Sequence, residues 1–340
     1  MSKLDECILG DLVEFQRGYD LPKSKFVEGK YPVQSSNGIL GYHNEYKVEG
    51  PGITIGRSGT VGTPHLIREN FFPHNTSLFV KEFKGNDIEY IYYLLQYLDL
   101  GNQKSGSGVP TMNRNHLHPI KIRAYRDKTY QQRTIKILSL IDKKIQIYNQ
   151  IIQELEAMAK TLYDYWFVQF DFPDQNGKPY KSSGGKMVYN PELKREIPEG
   201  WGVESVGNLL DKVTKAEKIE NNSIEFIGEI PVIDQSQKYI AGFTNNENAI
   251  LQPQDGHVIF GDHTRVVKYI NFDYARGADG TQVLISNNEN ISNVLLYHMI
   301  EDFDLSNYGY ARHFKFLKEK TVIVPDKEVS SKFETQLCYS

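Results

Sequence analysis

The most regular feature of the chain is a heptad pattern of apolar residues near its middle. Apolar side chains recur there at alternating spacings of three and four residues. This spacing is typical of a coiled-coil seam and predicts one long helix. A helix of about 40 residues is about 60 Å long, and so narrow an apolar stripe needs a partner helix. The predicted seam consists of Leu138, Ile141, Ile145, Tyr148, Ile152, Leu155 and Leu162.

On both sides of this helix, short apolar runs alternate with Gly, Asn and Ser. The runs "GITIGR", "TSLFVKEF" and "HPIKIRAY" before it are typical of strands, as are "HVIFGD", "TQVLIS" and "KTVIVP" after it. The stretch "NDIEYIYYLLQYLDL" has helical spacing behind an Asn-Asp start, and residues 290–303 repeat that pattern. Each side is therefore predicted to mix α and β structure with long polar loops.

The two sides correspond to each other in the same order and at a nearly constant offset. "YPVQSSNG" at 31–38 matches "IPVIDQSQ" at 230–237, an offset of 199, and "ITIGRSGT" at 53–60 matches "VIFGDHTR" at 258–265, an offset of 205. Three further pairs follow at offsets of 205, 205 and 201, namely "TSLFV" with "TQVLI", "EYIYYLLQYLDL" with "VLLYHMIEDFDL", and "IKIRAYRD" with "TVIVPDKE". Five ordered matches indicate two copies of one domain.

These patterns predict an α+β chain in which two pseudo-repeated mixed α/β domains are separated by a long helix of the coiled-coil type. The predicted first domain covers residues 1–127 and the helix 128–170. A turn-rich linker loop, broken by Pro and Gly, covers 171–200, and the second domain covers 201–328.

The composition excludes several classes of protein. The chain has 340 residues, of which 39% are hydrophobic and 24% charged, enough for two globular domains. No apolar run approaches the roughly 20 residues of a membrane span, and the N-terminus has no secretion signal. Two cysteines at opposite ends, Cys7 and Cys338, cannot build a disulfide framework or a zinc site. A reducing cytoplasmic location is therefore expected.

Charge is distributed unevenly along the chain. The overall formal charge is −4, so the net charge by itself gives no argument for a polyanionic partner. From Lys104 to Lys144, however, ten Lys and Arg residues face only two acidic ones, Asp127 and Asp142, a net charge of +8. The segment is either an ordinary solvated surface or a stripe that faces phosphates.

The glycine-rich loop "GRSGTVG" at 56–62 does not fit a cofactor site. Its spacing is G-x-x-G-x-x-G, whereas a dinucleotide loop needs G-x-G-x-x-G, and the chain has no P-loop motif. Its counterpart "FGDHTR" has lost two of the three glycines that would let main-chain amides close on a phosphate. The loop is either a plain hairpin turn or a variable contact surface.

Catalytic motifs are equally weak. Asp174, Glu192 and Lys194 have the residue types of a metal-dependent nuclease, but they lie in the turn-rich linker rather than on adjacent strands. The histidines lack ligand spacing, and neither a serine nucleophile elbow nor a methyl-donor loop occurs. The sequence therefore predicts no catalytic residue, no metal ligand and no cofactor on this chain.

Side chains suited to nucleic-acid contact cluster at matched positions in the two copies. Gln, Asn and Arg bond base edges, while Ser, Thr and main-chain amides suit phosphates. The alternative is that these are ordinary polar loops. In the first copy the predicted contact residues are Gln34, Ser36, Asn37, Arg57, Ser58, Thr60, His74, Asn75, Thr76, Lys104, Ser105, Ser107, Asn113 and Arg114. In the second copy they are Gln235, Lys238, Asp262, His263, Arg265, Asp279, Thr281, Tyr308, Tyr310, Arg312 and His313.

This arrangement resembles the specificity (S) subunit of type I restriction–modification systems over nearly the whole chain. In the first copy the resemblance rests on "GRSGTVG", "HNTSLFV" and "SGSGVPTMNRNHL". In the linking region it rests on "QQRTIKILSLIDKKI", "LYDYWFVQF" and "IPEGW", and in the second copy on "FGDHTR", "GADGTQVL" and "YARHFKFLKEK".

The resemblance implies two target-recognition domains that recognise a bipartite sequence in double-stranded DNA, one half-site each. It implies methyltransferase (M) subunits, docked along the helices, that carry the methyl donor, and a restriction/motor (R) subunit that uses ATP and Mg²⁺. The long helix would then be the spacer. A non-catalytic specificity subunit is thus the leading interpretation. A self-contained metal-dependent nuclease and a purely structural coiled-coil protein are the alternatives.

One departure from the family pattern concerns the second long helix. That helix would begin near Val329, and only residues 329–340 follow. Three explanations remain open at this point: a truncated, inactive specificity cassette, a separate chain that supplies the missing helix, or a helix borrowed from a second copy.

Overall fold

The structure is a computed structural model, which describes residues 4–102, 111–211, 213, 216–306 and 312–338. Contacts between residues divide the chain into two compact units, residues 1–149 and 150–340. None of the helices in the described ranges combines the length and the hydropathy that a bilayer span requires.

The first unit alternates short strands with a few helices. In chain order the strands and helices are β1 (Asp5–Ile8), α1 (Leu9–Leu12), β2 (Glu14–Arg17), β3 (Tyr31–Ser35), β4 (Gly38–His43), β5 (Gly52–Gly56), β6 (Pro64–Ile67), β7 (Phe72–Pro73), β8 (Ser77–Glu82), α2 (Ile88–Tyr97), α3 (Arg114–Leu117), β9 (Lys121–Ala124) and α4 (Lys128–Tyr163).

Two main sheets form the first unit. Strands β2, β8, β5 and β6 lie side by side in that order, and Thr54 of β5 pairs with Phe79 of β8 and with His65 of β6. The other sheet has the order β4-β3-β7, in which β3 and β7 run parallel. Because β7 leads through residues 74–76 directly into β8, the two sheets meet at that connection. Strands β1 and β9 pair separately.

The second unit continues from the end of α4. In chain order its further strands and helices are β10 (Met187–Asn190), β11 (Arg195–Pro198), β12 (Gly202–Ser205), β13 (Leu210–Asp211), β14 (Ile230–Ile233), β15 (Gly242–Thr244), β16 (Ile250–Leu251), β17 (His257–Gly261), β18 (Val267–Ile270), β19 (Tyr274–Arg276), β20 (Thr281–Ser286), α5 (Asn293–Ile300), α6 (Phe314–Lys318), β21 (Thr321–Val324) and α7 (Lys327–Cys338).

The strand order of the second unit repeats that of the first. One sheet runs β13-β20-β17-β18 and another β15-β14-β19-β16, with β14 and β19 parallel, while β12 pairs with β21. Strand β16 is an addition, since at the corresponding place in the first unit a single bridge joins Val48 to Phe71. Two pseudo-repeated α+β domains separated by a long helix are therefore confirmed as the fold. The segment 171–200 contains the β10–β11 hairpin in addition to its turns.

Each repeat has its own apolar core. In the first, Ile53 and Ile55 of β5 are fully buried, together with Ile91 and Leu95 of α2. Burial of each such side chain stabilises the fold by about 1.5–3 kcal/mol. Helix α2 begins where predicted because the carboxylate of Asp87 accepts hydrogen bonds from the amides of its first turn. In the second, Ser292 caps α5 in the same way.

The predicted long helix is present as α4, which passes at its end into one turn of π-helix, Asp164–Val168. Its start is fixed by Gln131, which is fully buried. The main-chain amide of Asp87 donates to Gln131 Oε1 at 2.8 Å. The Nε2 atom of Gln131 in turn donates to Asn86 Oδ1 at 2.6 Å and to Tyr125 O at 2.7 Å. The first repeat and the helix are therefore joined by buried polar contacts.

The far end of α4 belongs to an aromatic core in the second unit. Trp166 and Phe167 contact Phe333 of α7, with ring centroids 5.8 and 5.0 Å apart, and Phe167 also contacts Trp201 at 5.9 Å. Helix α7 occupies the position where a second long helix is expected to begin, and it packs beside the end of α4 through these rings.

Candidate nucleic-acid interface

In the first repeat, three of the predicted contact loops meet at one place. The side-chain oxygen of Asn37, in the β3–β4 turn, accepts hydrogen bonds from the Thr60 amide at 3.2 Å and the Thr60 hydroxyl at 2.6 Å. The Ser36 amide donates to Thr76 Oγ1 at 3.3 Å. Residues from the β3–β4, β5–β6 and β7–β8 connections are thereby joined into one surface.

The fourth predicted segment joins the same surface through main-chain bonds. The amide of Arg57 donates to Thr76 O at 2.9 Å, and the amide of Met112, just before α3, donates to Arg57 O at 2.8 Å. The imidazole Nδ1 of His74 lies 3.0 Å from Thr76 Oγ1. Asn113 caps α3 by accepting from the Asn115 amide at 3.1 Å. Hydrogen bonds therefore hold these loops in a defined arrangement.

Burial separates the predicted residues of the first repeat into two groups. Gln34 and Ser36 are only 4% and 5% exposed, so their side chains belong to the frame of the loops. Lys104, Ser105 and Ser107 lie outside the described residues. The side chains that are at least partly accessible to a ligand are Asn37, Arg57, Ser58, Thr60, His74, Asn75, Thr76, Asn113 and Arg114.

In the second repeat, Gln235 takes the joining role that Asn37 has in the first. Its side-chain nitrogen donates to Asp279 O at 2.9 Å, its side-chain oxygen accepts from the His263 amide at 3.1 Å, and its carbonyl accepts from the Thr264 hydroxyl at 2.6 Å. One amide side chain thus joins three loops, using its nitrogen as a donor and its oxygen as an acceptor.

Asp262 joins the fourth predicted segment of the second repeat, at His313 and Phe314, to the other loops. Its amide donates to Gly280 O at 2.7 Å, its carbonyl accepts from the His313 amide at 2.8 Å, and its carboxylate accepts from the Phe314 amide at 2.8 Å. Asp262, Thr281 and His313 are each about 4% exposed and therefore form the frame. Tyr308 and Tyr310 lie outside the described residues. The accessible residues of the predicted set are Gln235, Lys238, His263, Arg265, Asp279 and Arg312.

The one glycine that both β-hairpin loops retain has a steric reason. Gly56 and Gly261 end the equivalent strands β5 and β17. A Cβ at Gly56 would overlap the carbonyl oxygen of Thr60, and one at Gly261 would overlap the hydroxyl of Thr264. The other glycines of the first loop have no such counterpart, because the second loop is two residues shorter. The feature that the two loops share is therefore a lack of room for a Cβ at this position.

Two residues of this region were not predicted from the sequence, His65 and Lys268. They occupy equivalent positions on β6 and β18, opposite Thr54 and Ile259, which are 205 residues apart. His65 Nε2 lies 3.4 Å from Ser36 O, and Lys268 Nζ donates to the carbonyls of residues 234 and 238 at 2.8 and 2.5 Å. A polar residue among strand-forming neighbours was the only sequence signal for either.

The electrostatic surroundings of Lys268 are unusual for a lysine. Its side chain is only 4% exposed, and this burial lowers its pKa. The Asp234 carboxylate, 3.9 Å away, opposes that shift.

The nine described Lys and Arg side chains of the basic segment between residues 104 and 144 are all exposed. Their exposure agrees both with an ordinary solvated surface and with a stripe that faces phosphates.

The nuclease alternative gains no support from the linker geometry. The carboxylate of Asp174 accepts from the amides of Asn176 and Lys178, both at 2.8 Å, and so closes a local turn. Glu192 and Lys194 lie in the turn between β10 and β11. Within the described part of the chain, which includes all three of these residues, no three His, Cys, Asp or Glu side chains converge as a metal site would require.

The predicted helix seam is exposed along the middle of α4. Leu138, Ile141, Ile145, Tyr148, Ile152 and Leu155 are 41–60% exposed, while Leu162 packs partly against the aromatic core. Further apolar side chains flank the seam and are 43–67% exposed, namely Ile137, Leu140, Ile147, Ile151 and Met158. The exposed apolar face is therefore wider than a strict two-residue seam.

Comparison with known proteins agrees with this architecture. Residues 1–157 match the sequence model of the type I restriction modification DNA specificity domain. The type I restriction enzyme MjaIX specificity subunit of Methanocaldococcus jannaschii is 30% identical over 142 residues, which are 41% of this chain and 30% of that protein. The EcoprrI specificity subunit of Escherichia coli is 24% identical over 151 residues, which are 43% of this chain and 37% of that protein.

The matched stretches thus span 30% and 37% of the length of these two relatives. Among solved structures, the type I restriction–modification system S subunit from M. genitalium has a TM-score of 0.62 and 16% identity, covering 98% of this chain and 88% of that chain. At that identity the likeness shows the fold alone. The matches confirm that the chain resembles type I restriction–modification specificity subunits, with their DNA specificity domain matched over residues 1–157.

Proposed function

We propose that this chain is a non-catalytic, sequence-specific DNA-binding subunit of a type I restriction–modification system. Each repeat would recognise one half of a bipartite target. The first would use the accessible side chains of the loops that Asn37 joins, and the second those of the loops that Gln235 joins. The observation that carries the proposal is the repeated frame: in both repeats four loops are joined by equivalent bonds, including Met112 N to Arg57 O and His313 N to Asp262 O, each 2.8 Å.

The accessible side chains suit base edges and phosphates together. Arg57 and Arg265 supply forked donors for guanine, Asn37 and Asn75 suit adenine, and hydroxyls and main-chain amides suit phosphate. Specific recognition needs such groups on a rigid support, since ordering loops upon binding would cost affinity. The hydrogen bonds of the buried Asp262 and of Gln235 between the loops supply that support.

The chemistry of modification and cleavage would lie on partner subunits. M subunits would supply the methyl donor, and an R subunit would supply ATP hydrolysis, Mg²⁺ and cleavage. The exposed apolar face of α4 supports docking of another helix, whether from an M subunit, a separate chain or a second copy. A cytoplasmic location, where DNA and these partners would be found, belongs to the same proposal.

The test is to produce the chain together with an M subunit of the same system in a methylation-free bacterial strain. Sequencing of modified bases in the host genome should then give one bipartite motif of two short half-sites. Modified bases scattered over unrelated sequences would contradict the proposal. So would the absence of modified bases when the chain and the M subunit co-purify. The chain alone should bind target duplex with an affinity that falls steeply with salt.

Two controls separate this function from the alternatives. The isolated chain with Mg²⁺ should leave a supercoiled plasmid intact, and Lys194→Ala should change nothing in the methylation assay. Cleavage by the isolated chain that is lost in Lys194→Ala would instead establish the nuclease. Self-association through the seam with no affinity for any duplex would establish a structural coiled-coil protein.

A further inference from the structure

Lys268 is buried in the middle of strand β18, where a charged side chain costs the fold free energy. Removing an ammonium group from water costs several kcal/mol unless it is well paired, and a well-packed apolar side chain at such a place is often as stable or more so. Its partners are the carbonyls of Asp234 and Lys238, at 2.8 and 2.5 Å, and the Asp234 carboxylate at 3.9 Å. The two carbonyls accept hydrogen bonds from the ammonium group, and the carboxylate, which lies beyond hydrogen-bond distance, partly compensates its charge.

All of these partners belong to one segment, the hairpin loop 234–241 between β14 and β15. One ammonium group therefore ties two points of this loop, Asp234 O and Lys238 O, to the same position on β18. Tyr239 makes a second tie from the loop to β18, by donating from its hydroxyl to Tyr269 O at 2.5 Å. The loop so held includes Gln235, whose side chain joins the other loops of the site.

The first repeat has a smaller version of the same arrangement. There the β3–β4 connection is only two residues long, Ser36 and Asn37, and one contact from the equivalent strand position reaches it, His65 Nε2 to Ser36 O at 3.4 Å. The size of the side chain therefore matches the length of the loop that it contacts. In the first repeat the ring of His65 contacts a two-residue loop, and in the second repeat the longer Lys268, with three donors, contacts an eight-residue loop.

We propose that His65 and Lys268 are matched positioning residues, each of which holds the hairpin of its own repeat in the conformation that recognises DNA. Neither touches DNA itself in this proposal. It rests on the proposed function for the role of the hairpins, while the hold of each side chain on its loop is independent of that function.

Lys268→Met tests the hold directly, because methionine fills the same unbranched space without donors. Amide hydrogen exchange of the chain should become at least about tenfold faster in residues 235–241 and stay unchanged in β17 and β20. His65→Phe should do the same to residues 36–39 alone. Uniform acceleration throughout the second unit would show that Lys268 is only structural, and unchanged exchange in its loop would overturn the proposal whatever the chain's function.

The functional arm uses the methylation assay with the M subunit. Lys268→Met should relax the second half-site of the motif and preserve the first, and His65→Phe should do the reverse. His65→Gln, whose amide nitrogen still reaches Ser36 O, should restore the wild-type motif. Equal loss of both half-sites would overturn the proposal. Failure of the wild-type chain to direct a bipartite motif would instead contradict the proposed function, and the exchange measurement would still decide the positioning role.

Discussion

The main-chain amide of Met112 donates a hydrogen bond to the carbonyl oxygen of Arg57 at 2.8 Å, between segments 55 residues apart in the chain. The amide of His313 makes the same bond to Asp262, also at 2.8 Å. The side chains differ completely between the repeats, but the main-chain bond is retained. This is the arrangement expected when a common main-chain frame supports variable contact residues.

The two half-sites should respond independently to substitution. Arg57→Ala should weaken discrimination at the first half-site by about 1–3 kcal/mol, since one forked donor is lost, and leave the second unchanged. Arg265→Ala, at the exposed counterpart loop, is the matched variant and should affect only the second. Methylation motifs recorded with the M subunit would measure both. Equal damage to both half-sites by either variant would contradict modular recognition.

Gly56→Ala should damage the frame itself. The added methyl group would overlap the Thr60 carbonyl, so the loop must shift at a cost of about 1–3 kcal/mol. Urea unfolding should show this loss, and the first half-site should be lost or relaxed. The control is Gly202→Ala, where the nearest atom is Val324 Cβ at 3.8 Å, an ordinary contact. Equal stability of the two variants would show that the loop does not need the close approach.

The apolar face of α4 should matter for assembly and not for folding. Ile145 is 51% exposed, so Ile145→Glu should change the free energy of unfolding by no more than about 0.5 kcal/mol. It should nevertheless abolish co-purification with the M subunit. Ile135, on the same helix but only 6% exposed, is the control, and Ile135→Glu should cost at least about 3 kcal/mol. Intact co-purification of Ile145→Glu with the M subunit would contradict docking of that subunit at this face.

Acid should weaken the first unit through His118. The amide of Phe15 donates to His118 Nε2 at 3.0 Å, so this nitrogen must be unprotonated, and burial lowers the pKa of His118 in the fold. The neutral form is therefore favoured in the folded state. The resulting stabilisation is complete above the unfolded pKa of about 6.5 and is lost as the pH falls through the lower folded pKa. His118→Gln keeps an acceptor without titrating.

Urea unfolding of the wild type and His118→Gln at a series of pH values between neutral and mildly acidic would check this. The free energy of unfolding should decline more steeply in the wild type as the pH falls. Parallel declines would show that His118 contributes nothing to acid sensitivity.

The long helix and the pseudo-repeat could be predicted because both depend on periodicity along the chain. The alternation of three and four residues from Leu138 onward makes an apolar stripe only on a helix. Likewise, equal offsets between matched runs require equal elements in equal order, and β5 with β17 and β8 with β20 followed. The predicted contact loops also meet in each repeat, because the sheet order brings the β3–β4, β5–β6 and β7–β8 connections together.

Which polar residues face outward was decided only by the tertiary structure. Gln34 and Asn37 are three residues apart and chemically alike, yet Gln34 is 4% exposed and Asn37 stands at the surface. His65 and Lys268 each contact a loop more than 25 residues away, and no local pattern encodes such a contact. Sequence periodicity records which face of an element is apolar. The partner of a buried polar group is set by contacts between distant segments, and these exist only once the strands have paired.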